Sequence, residues 1–299
     1  MRYTAVALVT SALLSTPLQA KERAEAPVFL PSSPWHLDVA NEKCRLARRF
    51  GEGASEHMLF MELDKPTAAV DFAVAGPALG DTRWKKPVGF RFGTLDAVYE
   101  EHYSKGTLGK FDPAILTIST SLAAPGEEEE DHEEESWIEN VGGLSGIPAE
   151  RYAGNEDLHV VQGDKTLAAL RLDSLVPALT ALNQCAESFV EHWGLDLAQH
   201  RTMQQGPRWT NSKAVIRRFI SEYPSEALRS GEQGSVRFVV IVDETGAPVE
   251  CRQSDATEME KLDSPACKGM MRATFEPALD AEGKPMRSYY ATKVRYVLP

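Results

Sequence analysis

Apolar and polar residues alternate in short stretches between residues 35 and about 122, and this alternation predicts β-strands. An early stretch places Cys44, Leu46 and Phe50 on one face. Gly, Pro, Asp and Lys residues separate the stretches, and their regular spacing predicts an antiparallel sheet or small barrel rather than alternating strand and helix units. The further predicted strands are 57–63, 68–75, 88–92 and 114–122.

A longer amphipathic pattern then predicts the strongest helix of the chain, from Leu172 to Trp193. Asp173 or Ser174 is expected to cap its start, and Gly194 is expected to end it. Its apolar residues recur at steps of three and four: Leu172, Leu175, Val176, Leu179, Leu182, Ala186, Phe189 and Trp193.

The segment 199–212 is polar, contains Gly206-Pro207 and is predicted to be a linker. Beyond it the pattern predicts the order helix, strand, strand, helix, strand. We therefore expect an α+β chain, in which a mostly antiparallel β region ending in a long helix precedes a small α-β-β-α-β domain. The predicted C-terminal elements are helices at 225–229 and 262–273 and strands at 236–242, 248–253 and 288–298.

The composition is that of a soluble globular protein, with 42% apolar and 25% charged residues among 299. It excludes a wholly disordered chain and a membrane protein with many spans. The formal net charge of −12 argues against nucleic acid as a partner, because phosphate binding needs a basic face. Residues 206–299 hold 14 basic and 13 acidic side chains, so the negative charge resides before residue 206.

Eight of the acidic side chains fall within residues 127–136. Such a block repels itself and is expected to form a solvated loop. A calcium site is the alternative, although the block lacks the Asp/Asn-Gly spacing of a calcium-binding loop.

Residues 1–20 have the layout of a secretory signal peptide. Arg2 supplies the positive start, Ala5 to Leu14 is an uncharged apolar stretch, and Leu18-Gln19-Ala20 fits a cleavage site. The apolar stretch is shorter than the roughly 20 residues of a membrane span. We expect export and cleavage, with an uncleaved membrane anchor as the alternative.

Export favours disulfide bonds, and four cysteines allow three pairings. Pairing within each half of the chain is the simplest, and it joins Cys44 to Cys185 and Cys251 to Cys267. Cys44 faces inward in its predicted strand and Cys185 lies on the apolar stripe of the long helix, so a buried bond between them is reasonable. Metal binding or redox activity of the cysteines is the alternative.

No motif of a catalytic site is present in the sequence. H-E-x-x-H, P-loop and G-x-G-x-x-G patterns are missing, and the segment from Gly143 to Ile147 lacks the second glycine of a nucleophile elbow. The seven histidines are scattered without the spacing of metal ligands. We expect no catalytic residue, metal or cofactor; an enzyme site built from residues distant in sequence is the alternative.

Four segments of the C-terminal part, in this order, resemble the C-terminal domain of TonB proteins. They are Tyr223-Pro224-x-x-Ala227-Leu228, Gly234-x-Val236-x-Phe238-x-Val240-x-Val242-Asp243-x-x-Gly246, Leu262-Asp263 and Phe275-x-Pro277-Ala278. The resemblance covers roughly residues 215–299. A bond between Cys251 and Cys267 fits this layout, since it would link the second strand to the second helix.

The resemblance implies a mechanical role in energy-dependent transport. TonB passes energy from an inner-membrane motor to outer-membrane receptors for siderophores and vitamins, and its C-terminal domain grips a receptor peptide as an added strand. In this chain the receiving edge would be residues 288–297, in a periplasmic protein. The side chains expected to be exposed there for partner binding are Tyr289, Ala291, Lys293, Arg295 and Val297.

The sequence also departs from a motor-coupled transducer. Its apolar N-terminal stretch has no polar contact residue, and its 18 prolines are scattered rather than gathered in a spacer. Contact with an inner-membrane motor is therefore expected only if the N-terminus is retained. The alternative functions are an exported protein-interaction module without force transmission and a periplasmic enzyme in the N-terminal domain. The expected domains are a signal peptide (1–20), an acidic β-rich domain (21–205) and the TonB-like domain (206–299).

Overall fold

The computed structural model of the 299-residue chain describes residues 26–296, except 41–42, 84–85, 96–98, 102, 124–143, 222–228, 230–233 and 256–265. Three predicted features lie outside these residues: the signal peptide, the acidic block and most of the helix at 225–229. We call residues 26–205 the N-terminal region and residues 206–296 the C-terminal region.

A six-stranded antiparallel sheet forms much of the N-terminal region, in the order β2-β3-β4-β5-β9-β8. Apolar residues alternate along its strands, so that Cys44, Leu46 and Phe50 of β3 are buried as their spacing predicts. Arg48, on the same face, is also buried. The strands are β2 (His36–Ala40), β3 (Lys43–Phe50), β4 (His57–Leu63), β5 (Ala69–Ala75), β8 (Ser104–Leu108) and β9 (Phe111–Ser121).

A second sheet has five strands in the order β1-β11-β10-β6-β7, and all its pairs are antiparallel except β1 with β11. Its apolar residues join those of the six-stranded sheet in one core. The strands are β1 (Val28–Phe29), β6 (Val88–Phe92), β7 (Tyr99–Glu101), β10 (Asp157–Gln162) and β11 (Lys165–Arg171).

Helix α1 (Leu175–His192) follows β11 and lies against β2 and β3. It begins three residues later than predicted, because Asp173 and Ser174 adopt positive φ angles of 37° and 55°, which no α-helix contains. The predicted cap bond is therefore wrong: Ser174 precedes the helix but its side chain accepts no backbone hydrogen bond. Gly194, with φ of 75°, ends the helix as predicted.

The predicted linker at 199–212 has defined structure instead. It includes the end of α2 (Leu197–Thr202), the strand β12 (Arg208–Trp209) and the start of α3 (Ser212–Ser221). His200 and Trp209 are buried, which explains why this polar segment does not behave as a spacer.

The C-terminal region contains a three-stranded antiparallel sheet in the order β14-β13-β18. Two short strand pairs, β12 with β15 and β16 with β17, flank it. The remaining elements are β13 (Gly234–Val242), β14 (Pro248–Asp255), α4 (Ala266–Met270), β15 (Phe275–Glu276), β16 (Ala278–Leu279), β17 (Pro285–Met286) and β18 (Ser288–Tyr296).

Both faces of the three-stranded sheet are buried in its middle. One face packs with Trp209, α3 and α4 in a core of the C-terminal region. The other face belongs to the large core of the N-terminal region, to which it contributes Val239, Ile241, Tyr289 and Ala291. The two regions therefore share apolar packing. The expected α+β class is confirmed, with strands outweighing helices.

Candidate functional site

The last strand, β18, forms one edge of the three-stranded sheet among the described residues. Backbone groups of a strand point alternately to either side, so the direction at one residue fixes the rest. In the β13–β14 hairpin the amide of Asp243 donates to the carbonyl of Ala247 at 2.9 Å, toward β14. Even-numbered residues of β13 therefore bond toward β18, and Val240 is paired with Tyr290.

It follows that odd-numbered residues of β18 turn their backbone groups away from the sheet. These are Tyr289, Ala291, Lys293 and Arg295, whose register partners in β13 are also odd-numbered. A row of N–H and C=O groups directed away from the sheet is the structural requirement for adding another strand.

The side chains of this edge differ from the expectation in one respect. Tyr289 and Ala291 were expected to be exposed, but only 3% and 8% of their surfaces are accessible. The Tyr289 ring packs on Trp193 of the N-terminal region, with ring centroids 4.7 Å apart. The expectation of exposure is wrong for these two residues because the N-terminal region covers that face, and burial raises the pKa of Tyr289.

The backbones of Lys293 and Arg295 lie in β18, and Val297 lies outside the described residues. Lys293 and Arg295 are therefore placed by their positions along the strand. Their role in partner binding stays a prediction, as do those of Tyr289, Ala291 and Val297.

Even-numbered residues of β18 anchor the strand to the core of the C-terminal region. The Tyr290 ring meets Phe275 and Trp209 at centroid distances of 5.3 and 5.8 Å. Burial raises the pKa of Tyr290 as well, so its hydroxyl stays neutral. The strand is thus fixed to the core of the C-terminal region from one side.

Arg237 of β13 joins the two regions through charge. Its Nε lies 2.7 Å from Oδ2 of Asp64, and its guanidinium also bonds to Asp71. The Arg237 side chain is only 11% exposed. Burial by itself would lower the pKa of Arg237, but the two carboxylates outweigh burial and raise it.

Lys65 of the N-terminal region reaches the edge itself. Its Nζ donates to the carbonyl oxygen of Ala291 at 3.1 Å. That carbonyl belongs to an odd-numbered residue and therefore faces the outer edge of β18. No local pattern indicates this contact, which joins residues 226 positions apart.

A buried histidine fixes the first residue of β18. Nδ1 of His200 lies 2.6 Å from the carbonyl oxygen of Asp196, which only accepts, so we assign the proton to Nδ1. Nε2 then accepts from the hydroxyl of Ser288 at 3.1 Å. Burial lowers the pKa of His200, which favours this neutral form.

Both disulfide bonds of the simplest predicted pairing are present. Cys44 is bonded to Cys185, with 6.1 Å between their Cα atoms, and ties β3 to α1. Cys251 is bonded to Cys267, with 5.6 Å between Cα atoms, and ties β14 to α4. Within the described part of the chain no cysteine is free. Both bonds are structural, because each joins two packed elements.

A metal site among the described residues would need several His, Cys, Asp or Glu side chains close together. No cluster of three or more His, Cys, Asp or Glu side chains that could hold a metal ion occurs among them. His57 is an example of a histidine with a local role: its Nδ1 lies 2.7 Å from the carbonyl oxygen of Ser55, and Nε2 accepts from the amide of Ala78.

One polar cleft of about 580 Å³ lies beside the β10–β11 turn. In it Nζ of Lys165 contacts Oδ2 of Asp81 at 2.7 Å, and this hydrogen bond lowers the pKa of Asp81. The Gln162 amide is occupied with backbone groups of Arg83 and Lys86. The polar groups named here thus bond to one another across the cleft.

The helices of the described residues include none that is both long and apolar enough to cross a membrane.

Comparison with known families gives one match. Residues 221–298 match the model of the Gram-negative bacterial TonB protein C-terminal domain, a stretch of about a quarter of the chain that contains all three strands of the β14-β13-β18 sheet. No curated protein and no solved structure gave a match. The matched family is a transport-related domain without enzymatic activity. The resemblance of the C-terminal part to the TonB C-terminal domain family is therefore confirmed over residues 221–298.

Proposed function

We propose that this is a periplasmic TonB-like protein that engages outer-membrane receptors in energy-dependent nutrient transport. The observation that carries the proposal is the outer edge of β18, in a domain of the matched family. The partner would be an extended receptor peptide, bound as a fourth strand. Backbone hydrogen bonds give such binding its strength and make small demands on the peptide side chains.

The geometry favours β18 over the opposite edge for two reasons. Its residues run for nine positions in unbroken register with β13, from Ser288 to Tyr296. The other edge strand, β14, has a register shift near Pro248, and a bulge of this kind disturbs strand pairing. A regular edge is the better template for a peptide.

The direct test is NMR titration of the exported chain with synthetic peptides copied from the periplasmic N-terminal segments of outer-membrane receptors. We expect chemical shift changes at the amides of Tyr289, Ala291 and Lys293. Unchanged amides in β18 at millimolar peptide would refute receptor binding by strand addition.

A proline variant sharpens the test because proline removes one backbone donor. Lys293→Pro deletes an edge-facing N–H of β18 and leaves the β13 ladder intact. Gln253→Pro is the matched control, since Gln253 of β14 faces the opposite edge by the same alternation. We expect peptide affinity to fall about tenfold or more in the first variant and to stay unchanged in the second.

Contact with an inner-membrane motor is a separate part of the proposal, and it depends on whether the apolar N-terminal stretch remains on the exported chain. The second candidate function is an exported interaction module that binds peptides without transmitting force. One face of the C-terminal sheet packs against the N-terminal region of the same chain. This packing favours the second candidate, because the sheet already has a protein partner within the chain.

A further inference from the structure

The β4–β5 loop, residues 64–68, lies against the outer edge of β18. Asp64 at its start bonds to Arg237 of the neighbouring strand β13, and Asp71, which follows in β5, bonds to the same guanidinium. The loop is therefore tied to the C-terminal sheet by a largely buried ion pair.

The loop is also held by backbone and side-chain bonds within the N-terminal region. The amide of Leu122 donates to the carbonyl of Ala68 at 2.8 Å. The amide of Ala69 donates to Oγ1 of Thr67 at 3.1 Å. These bonds fix the end of the loop, so that Lys65 projects from a defined support.

Lys65 occupies a position that a bound strand would need. Its Nζ lies 3.1 Å from the carbonyl oxygen of Ala291, which faces the outer edge. An added strand lies about 4.8 Å from its neighbour and directs an N–H at such a carbonyl. The ammonium group and an incoming peptide amide therefore compete for one acceptor and for the same space.

We propose that the β4–β5 loop is a latch, in which Lys65 closes the β18 edge until a peptide displaces it. The inference rests on the proposed function, since it concerns regulation of the same edge. Lysine suits this role because its flexible stem lets the ammonium group leave without movement of the loop. The N-terminal region thereby lowers peptide affinity and also shields the edge from pairing with other chains.

The test compares three variants of the full exported chain. Lys65→Met removes the donor and keeps the apolar stem, whereas Lys65→Arg keeps a donor. Lys110→Met is the matched control, because Lys110 bonds to Glu56, at 2.6 Å, and not to β18. The ¹³C chemical shift of the Ala291 carbonyl, measured by NMR, reports on its hydrogen bond to Lys65 without any ligand.

We expect the Ala291 carbonyl carbon to move upfield in Lys65→Met, because its oxygen loses the ammonium donor. The shift in Lys65→Arg and in Lys110→Met should stay close to that of the unaltered chain. Equal shifts in all four proteins would overturn the latch, whether or not a peptide binds.

A second readout separates the latch from the proposed function. With the receptor peptide that shifts β18 most, Lys65→Met should bind about tenfold more tightly than the unaltered chain. Equal or weaker binding would contradict the latch. An upfield shift of the Ala291 carbonyl in Lys65→Met together with no peptide binding in any variant would support the latch and refute the receptor proposal.

Discussion

Arg237 shows how single side chains decide the relation between the two regions. It extends from β13 toward Asp64 and Asp71, and its one positive charge lies between two carboxylates where water has limited access. Alternation along β13 indicates only that Arg237 lies on the face opposite Phe238. The observed role depends on carboxylates more than 160 residues away, which local patterns do not encode.

We expect Arg237→Ala to destabilise the chain by about 3–5 kcal/mol, because it leaves two half-buried carboxylates without their counter-charge. Arg208→Ala is the control, since Arg208 and Glu276 form an exposed pair that contributes at most about 1 kcal/mol. Urea unfolding with the disulfides intact measures both losses. Similar losses in the two variants would contradict a buried role for Arg237.

His200 predicts a pH dependence of stability. Its pKa is lowered in the folded chain, so the unfolded chain binds its proton more readily. The stabilisation is present above the ordinary histidine pKa of about 6.5, and it is lost as the pH falls through that value toward the folded pKa.

The measurement is the free energy of unfolding between pH 7.5 and 5.5 for the unaltered chain and for His200→Gln. The difference between the two should shrink on acidification, by at most about 1.4 kcal/mol per pH unit. His36→Gln, at an exposed strand residue, is the control. A difference that stays constant with pH would show that His200 is not held neutral.

At the scale of elements, β13 carries apolar residues on both faces, and an alternating pattern accounts for only one of them. Phe238, Val240 and Val242 lie on one face and are buried in the core of the C-terminal region. Val239 and Ile241 lie on the other face and are buried as well, against the N-terminal region. A run that is apolar on both faces indicates a strand covered on both sides, and this signal was available in the sequence.

We expect Ile241→Ala to cost about 2–5 kcal/mol of unfolding free energy, as truncation in a packed core does. Val249→Ala in the neighbouring strand should cost less than about 0.5 kcal/mol, because Val249 is 46% exposed. Thermal or urea unfolding of the full chain compares them. A small loss for Ile241→Ala would mean that the second face of the sheet is open in solution.

Helix α1 follows local sequence rules at its end but not at its start. The apolar stripe of α1 and its end at Gly194 follow from residue spacing and from the conformational freedom of glycine. Its start does not, because Asp173 and Ser174 adopt left-handed backbone angles and Arg48 binds the carbonyls of Leu172 and Asp173. Contacts from β3 thus shape the strand-to-helix junction.

At the scale of the whole molecule, the sequence separates an acidic N-terminal part from a nearly neutral C-terminal part. The disulfide pairs follow that division. The shared core does not, because packing of one sheet face on α1 and its neighbours depends on the tertiary arrangement. The sequence predicted that the candidate edge is a strand. Only the structure shows that Tyr289 packs against the N-terminal region and that Lys65 contacts the edge.

The state of the N-terminus decides between the two functional candidates. We expect intact-mass analysis of the exported protein to give a chain that starts at Lys21, because residues 18–20 fit a cleavage site. A chain of that mass would exclude direct coupling to an inner-membrane motor through residues 1–20. A mass that includes Met1 would instead support an anchored transducer.

The central claim is that a receptor peptide adds to the outer edge of β18, and a spin-labelled peptide tests it most directly. With a nitroxide on the bound peptide, the amides of Tyr289, Ala291 and Lys293 should broaden most. Those of β14 should broaden less, since two strand spacings, about 10 Å, separate it from β18. Stronger broadening in β14, or none in β18, would contradict the proposal.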